Sequence, residues 1–229
     1  MRKAGNICVI LGTALLVAAL ALFLMNSRED AAAGKAAVDV IPQLVDQIQI
    51  QTADEETEEL DFTIPEWELP EYFRPEDTQV PEMTELEVDG NGYIGFLSFP
   101  TLELELPVMG FWSYDKLKIA PCRYAGNLHS DNLVIMAHNY QSHFGRLNEM
   151  NVGDTVLFAD VDGRITEFVM AGKDILEATA IEEMTSGAYD LTLFTCTYGG
   201  TSRVTVYFDK VEDKRTRVSI YPLQNIPLS

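Results

Sequence analysis

Hydrophobic positions near the N-terminus form one long uncharged run, which predicts a membrane-spanning helix. The run extends over 19 residues, from Ile7 to Met25, and only Gly12 and Thr13 interrupt its apolar character. A helix of that length is roughly 28 Å long, close to the apolar thickness of a bilayer. The pattern therefore predicts a transmembrane anchor at residues 7–25.

Charges on either side of this run predict its orientation. Arg2 and Lys3 precede it, so the positive-inside rule places residues 1–6 in the cytoplasm and everything beyond the anchor outside the cell. A cleaved signal peptide is the alternative, because Ala31-Ala32-Ala33 resembles a small-residue cleavage site. Signal peptides usually have apolar cores of only about 7–15 residues, which favours a retained single-pass anchor in the cell membrane.

The next segment, residues 26–89, is acidic and contains five prolines. Between Glu29 and Asp89 there are 19 acidic and two basic side chains. Like-charge repulsion and proline both extend a chain, so this composition predicts an extracellular stalk that holds a domain away from the membrane. Residues 36–50 allow a short amphipathic helix broken at Pro42, and the aromatic run 64–73 is apolar enough to lie back on the domain.

From about residue 90 onward, short apolar runs alternate with turn residues, a pattern typical of a β-sandwich or barrel. Leu102, Leu104 and Leu106 alternate with glutamates, so one face of that strand is expected to be buried and the other wet. With a short helix at 142–150, the pattern predicts an all-β domain over residues 90–229, folded as a closed or nearly closed barrel of about eight strands. The predicted strands are Tyr93–Phe99, Leu102–Val108, Leu133–Ala137, Thr155–Ala159, Ile165–Ala171, Leu191–Thr195, Val204–Val211 and Val218–Tyr221.

Composition excludes several classes of protein. With 36 acidic and 16 basic residues the net charge is −20, so the chain lacks the basic surface that a nucleic-acid-binding protein needs. Hydrophobic residues make up 47% of the chain, which is too many for a wholly disordered protein. Three cysteines are too few for a disulfide scaffold and lack metal-binding spacing. No phosphate-binding loop, HExxH, GxSxG or EF-hand pattern is present, so no metal or cofactor is predicted.

Three residues at the ends of predicted strands are candidates for catalysis: His138, Cys196 and Arg203. A thiol needs nearby cations to become a reactive thiolate, an imidazole transfers protons, and a guanidinium binds an oxyanion. Taken singly, each also has an ordinary explanation, as a buried inert thiol, a core histidine or a surface charge. Cys8 falls in the membrane segment and Cys122 is interpreted as packing, although a disulfide between Cys122 and Cys196 would abolish the activity.

The segment Thr192-Leu193-Phe194-Thr195-Cys196 matches the TLxTC signature of sortases, the cysteine transpeptidases of Gram-positive cell surfaces. His138 lies 58 residues before the cysteine and Arg203 seven residues after it. Segments 92–95 and 106–108 resemble the first strand pair of that family. The similarity covers roughly residues 90–222, whereas papain-like proteases have their cysteine before the histidine and fit poorly.

This resemblance implies an eight-stranded sortase barrel and a two-step acyl transfer. Cys196 would attack a C-terminal sorting signal of the LPxTG type to form a thioester, with His138 as general acid and then base. Arg203 would orient the substrate and stabilise the oxyanion, and Thr195 and Asn139 would contact the substrate. The implied partners are surface proteins that carry sorting signals, and a peptidoglycan precursor or pilin amine as acceptor.

The sequence leaves the sortase class undecided. His138-Asn139 followed by Phe144-Gly145 resembles class B, but segment 174–189 is too short for the large helical insertion of that class. A lid with an aromatic plug, as in pilin-polymerising sortases, would fall at residues 65–67, without a close match to a lid motif. Two alternatives to an enzyme remain: an inactive sortase-like module that binds sorting signals or peptidoglycan, and an adhesion module in which the three candidates are far apart.

Overall fold

The computed structural model describes residues 2–57, 81–197 and 199–211, which form three α-helices and nine strands. The predicted strand Val218–Tyr221 and the proposed lid at residues 65–67 lie outside these residues. The helices are α1 (Arg2–Thr57), α2 (Tyr114–Leu117) and α3 (Ile181–Met184). The strands are β1 (Leu86–Val88), β2 (Asn91–Phe99), β3 (Leu104–Met109), β4 (Cys122–Ala125), β5 (Leu133–Ala137), β6 (Thr155–Asp160), β7 (Ile165–Glu177), β8 (Leu191–Cys196) and β9 (Ser202–Lys210).

Eight of the strands close into a barrel, as the sequence predicts. Their order is β2-β3-β4-β5-β8-β9-β7-β6, and β6 pairs with β2 to complete the circle. Strand β1 adds a short hairpin at the edge of β2 and lies outside the closed ring. The pairs β3–β4 and β5–β8 are parallel and the other pairs are antiparallel. Alternating apolar residues from all round the ring fill the interior, including the fully buried Phe99, Phe158, Phe168 and Phe208.

Several predicted elements differ in detail from those in the structure. Strand β4 was not predicted, because Cys122–Ala125 is a short segment with no period-two alternation of its own. Residues Pro100–Leu102 form a 3-10 turn, so β3 begins at Leu104 rather than at Leu102. The helix predicted over 142–150 is a 3-10 segment, Phe144–Glu149, which buries Phe144 and Leu147.

The N-terminal helix α1 is longer than the predicted membrane segment. Its first part is long and apolar enough to cross a membrane, and side chains there such as Leu15, Leu20 and Phe23 are exposed, without protein cover. An extended spacer was predicted for residues 26–89, but residues 26–57 continue the same helix through Pro42. The predicted stalk is therefore wrong in this part, whereas the domain boundaries themselves remain a prediction.

The reason lies in an apolar stripe along the second part of α1. Its members are spaced by three or four residues and are buried: Ala33, Ala37, Val40, Leu44 and Ile48. Val40, Leu44 and Ile48 pack in one cluster with residues of β1, β2, β3 and β4. Burying each such side chain stabilises the helix by roughly 1.5–3 kcal/mol, so several together outweigh the ~3 kcal/mol cost of a proline inside a helix.

Closure of the barrel between β2 and β6 depends on Gly95. Its φ is 149°, and a Cβ at this position would overlap the carbonyl oxygen of Ala159 on β6. We expect Gly95→Ala to lower the free energy of unfolding by about 2–4 kcal/mol, since it adds backbone strain and overpacking. Urea unfolding measures this change. Gly172→Ala on β7 is the control, because a Cβ there has no described heavy atom within 4 Å, and an equal loss in both variants would contradict the explanation.

Candidate functional site

Strand register brings the three candidate residues together at one end of the barrel. Strands β5 and β8 run parallel with Ala137 opposite Thr195, so His138 and Cys196 leave their strands side by side. Strands β8 and β9 are antiparallel, with Cys196 directly opposite Arg203. Neighbouring strands lie about 4.8 Å apart, which places the cysteine between the histidine and the arginine. The alternative in which the three residues are far apart does not agree with this register.

All three side chains also belong to the outer face of the barrel. Leu191, Leu193 and the strand partner Val206 are buried in the main core, so the alternate positions of β8 and β9 face outward. By the same alternation, Ile135 and Ala137 of β5 face the core. His138, Cys196 and Arg203 therefore share one surface, and His138 and Cys196 are half-buried there.

Cys196 opens into a cavity of about 400 Å³ at this end of the barrel. Asn139, predicted to contact substrate, lines the cavity together with Tyr140 and Gln141 from the loop after β5. The opposite wall includes Gly199 and Gly200 of the β8–β9 turn. Asn26 and Asp30 of α1 complete the lining. The cavity is therefore bounded by the barrel and by the helix that carries the apolar run.

Arg203 is held by the turn that joins β8 to β9. Its Nη1 donates to the carbonyl oxygens of Gly200 and Ser202, both at 3.1 Å. Gly199 and Gly200 have φ values of 89° and 72°, a conformation that glycine adopts without strain. The short turn thus holds the guanidinium through its Nη1, at the strand position opposite Cys196.

His138 lies in a stack of three rings. Its ring centroid is 4.9 Å from that of Tyr140, which in turn is 5.5 Å from that of His143. Burial lowers the pKa of His138, the Glu29 carboxylate acts in the opposite direction, and Lys118 adds to the lowering. His143 is almost completely buried, and burial lowers its pKa to about 4, so it is neutral at physiological pH.

Thr195 faces the barrel interior, and its predicted contact with substrate stays a prediction. It is buried in the barrel and its hydroxyl donates to the carbonyl oxygen of Ala137 at 2.9 Å. This hydrogen bond ties β8 to β5 one residue before Cys196 and His138. The threonine of the motif therefore holds the two strand ends in register, because its side chain faces inward.

Cys122 is buried, whereas Cys196 is partly exposed. Burial raises the pKa of Cys122 to about 12, and its Sγ donates to the carbonyl oxygen of Ala120. Both cysteines are free thiols, so the disulfide considered from the sequence is not present. Packing, as interpreted from the sequence, agrees with the position of Cys122.

An apolar strip runs along the outer face of the barrel beside Cys196. Val134 of β5 and Phe194 of β8 form its floor, and Met184 of α3 covers them. Tyr124 of β4 packs edge-on against Phe194, with ring centroids 5.2 Å apart. Leu176 of β7 extends the strip on the side of Arg203. Val134, Phe194 and Met184 are buried against one another, so only the partly exposed edge of the strip, at residues such as Tyr124 and Leu176, is open to a ligand.

Sequence reasoning missed the residues that α1 and the loop after β5 contribute. Glu29, Asp30, Tyr140 and His143 all lie within this site or next to it. The apolar spacing along residues 33–48 could have indicated that α1 docks on the barrel. Across residues 2–57, 81–197 and 199–211, no group of three or more His, Cys, Asp or Glu is placed to hold a metal ion.

Comparison with known proteins gives one match to a family. The family model of the sortase domain matches residues 97–211, half of the chain. No curated protein sequence matches this chain.

Among solved structures, sortase A from Corynebacterium diphtheriae is 18% identical, with a TM-score of 0.49, over 55% of this chain and 64% of that one. Sortase C from Streptococcus pneumoniae is 24% identical, with a TM-score of 0.49, over 56% and 70%. Sortase C1 from Streptococcus agalactiae is 20% identical, with a TM-score of 0.49, over 65% and 80%. The chain thus spans less than two thirds of the Corynebacterium protein.

Proposed function

Because this chain belongs to the sortase family, we propose that it is a membrane-anchored cysteine transpeptidase with Cys196 as nucleophile. One observation carries the proposal: strand register brings His138, Cys196 and Arg203 onto adjacent strand ends, and Cys196 of these three lines a surface cavity. His138 and Arg203 are 58 and seven positions from Cys196 in the sequence, but their strand ends are next to it in the fold. Acyl transfer by a thiol requires such neighbours.

In the proposed first step, the Sγ of Cys196 attacks the carbonyl carbon of the scissile peptide bond. A C–S bond forms, the C–N bond breaks, and the thiol proton passes through His138 to the leaving amine. Arg203 stabilises the negative charge that develops on the carbonyl oxygen, because its guanidinium remains charged at any relevant pH. The products of this step are a thioester on Cys196 and a released amine.

In the second step an incoming amine attacks the thioester carbonyl. His138 accepts the proton of the amine and returns it to the sulfur as the C–S bond breaks and a new amide forms. The acceptor is a peptidoglycan precursor or a pilin lysine, as the family implies. The chain thus exchanges one amide for another, and neither step consumes an oxidant or a reductant.

The apolar strip supports an LPxTG-like sorting signal as the substrate. A leucine and a proline before the scissile bond would lie against its partly exposed edge, at Tyr124 and Leu176, with the scissile carbonyl at Cys196. The apolar helix α1 supports a location in the cell membrane, with the N-terminus in the cytoplasm and the barrel outside, where surface proteins emerge.

An inactive sortase-like module is the alternative. It would keep the barrel and the apolar strip, and so would bind sorting signals without turnover. The presence of His138, Cys196 and Arg203 on adjacent strand ends favours the enzyme, because binding alone requires neither a thiol nor an imidazole beside it.

Mass spectrometry distinguishes the two. We expect the full chain, incubated with a small library of LPxTG-like peptides, to gain the mass of the N-terminal peptide fragment. Peptide mapping should locate this adduct on Cys196, and hydroxylamine should release it, because thioesters react with that nucleophile. Binding without an adduct would favour the inactive module, and an adduct on Cys122 would contradict the proposed mechanism.

A further inference from the structure

Two adjacent carboxylates of α1 contact the loop that follows the proposed catalytic histidine. The Glu29 carboxylate accepts a hydrogen bond from the Tyr140 hydroxyl at 3.1 Å. The Asp30 carboxylate accepts one from the backbone N–H of Ser142 at 2.9 Å, and the Ser142 hydroxyl lies 2.8 Å from the Asp30 carbonyl oxygen. These contacts join residues more than a hundred positions apart, so they depend on the docking of α1.

The helix approaches this loop closely because Gly34 lies at the contact. A Cβ on Gly34 would lie 3.0 Å from the Cβ of Ser142, nearer than almost any side chain tolerates. Asp30, one turn earlier, and Asn26, two turns earlier, line the Cys196 cavity. The segment Asn26–Asp30, which directly follows the apolar run, is therefore a wall of the proposed active site.

Tyr140 connects this wall to His138. It is buried, its ring lies between those of His138 and His143, and its hydroxyl is held by Glu29. Two ring contacts and one charge-assisted hydrogen bond restrict the rotation of Tyr140 and thereby the orientation of the His138 ring that packs on it.

We propose that Glu29 and Asp30 are positioning residues, which fix the His138 loop to the membrane anchor so that the imidazole faces Cys196. This inference rests on the proposed function. It implies that the anchor contributes to catalysis as well as to location, because the helix that leaves the bilayer also orients the general acid and base.

The electrostatic surroundings of His138 allow a direct test of this contact. The titratable and charged groups around it are Glu29 from α1, Lys118 after α2, and Tyr140 and His143 in its own loop. Cys196 ends the adjacent strand β8, and Arg203 lies on β9, one strand further away. A carboxylate near an imidazole favours the protonated form, so removal of Glu29 lowers the pKa of His138.

The experiment uses the full chain in detergent micelles with ¹³C-labelled histidine. With three histidines in the sequence, His138 is assigned by substitution, and its pKa follows from the chemical shift against pH. We expect Glu29→Ala to shift the His138 titration to lower pH by several tenths of a unit. Tyr140→Phe should not produce that shift, because this variant retains the Glu29 carboxylate. Asp39→Ala, an exposed carboxylate on the same helix, is the control and should leave the titration unchanged.

Acylation kinetics of the same variants test positioning. We expect Glu29→Ala and Tyr140→Phe each to lower kcat/KM about 5–30-fold. The double variant should be no slower than the slower of the two single variants, because the effects of residues that act through one another are not additive. If Glu29→Ala left both the pKa of His138 and kcat/KM at their wild-type values, the inference would be overturned. A wild-type chain that forms no acyl adduct would instead refute the proposed function, and the His138 titration would still decide whether Glu29 acts on the imidazole.

Discussion

Replacement of Cys196 by alanine should abolish acyl transfer. In the proposed mechanism this sulfur forms the bond to the acyl group, and no other described thiol lies in the cavity. We expect kcat/KM for a fluorogenic LPxTG-like peptide to fall by roughly 10⁴-fold or more, because the remaining groups only bind and polarise the substrate. The thioester adduct should disappear from the mass spectrum at the same time.

Cys122→Ala is the matched control for this variant. Cys122 is fully buried and its pKa is raised to about 12, so its substitution removes a thiol without touching the proposed chemistry. We expect activity to remain within a few-fold of wild type, at a stability cost of about 1 kcal/mol for the small cavity. Turnover by Cys196→Ala with a normal circular dichroism spectrum would remove the covalent mechanism.

Replacement of Arg203 by lysine should also cause a large loss, although the charge is conserved. The guanidinium of Arg203 donates through Nη1 to the carbonyl oxygens of Gly200 and Ser202, and in the proposed mechanism its other N–H groups bind the substrate. A lysine ammonium is a point donor that cannot satisfy the turn and an oxyanion together. Loss of one oxyanion donor typically costs about 10²–10³-fold in rate, and we expect kcat/KM to fall by that amount.

Arg164→Lys is the control variant. Arg164 is exposed in the turn between β6 and β7, near the pairing of β6 with β2 and away from the strands that carry the proposed site. It should leave kcat/KM within about two-fold of wild type, as surface substitutions usually do. The decisive quantity is kcat for acylation measured in single turnovers. If Arg203→Lys raised only KM, the arginine would bind substrate without stabilising the oxyanion.

Much of the architecture follows from patterns that are local in the sequence. The apolar run at residues 7–25 predicts a spanning helix because length and composition alone determine whether a segment can cross a bilayer. Strands such as Leu133–Ala137 follow from the local apolar pattern and turn residues, and the structure has that strand at the same bounds. The TLxTC segment and its spacing to His138 and Arg203 were sufficient to indicate the family that residues 97–211 match.

Other predictions failed where distant residues decide the outcome. Charge and proline content predict an extended stalk, but the stripe from Ala33 to Ile48 finds an apolar surface on β1–β4 and folds as helix instead. Strand alternation likewise turns Thr195 inward, to the carbonyl of Ala137, while its contact with substrate stays a prediction. Neither the helix at residues 33–48 nor the inward side chain of Thr195 can be predicted from the residues next to it in the sequence.

By itself, then, the sequence determined most of the strands, the apolar helix at residues 7–25, the family and the three candidate residues, because each is encoded in a short pattern. Only the tertiary structure decided that β8 lies between β5 and β9, which places Cys196 between His138 and Arg203. It alone also brought Glu29 to Tyr140, 111 positions away. The physical reason is that burial of the α1 stripe and closure of the barrel are properties of the whole molecule, and contacts at the site follow from both.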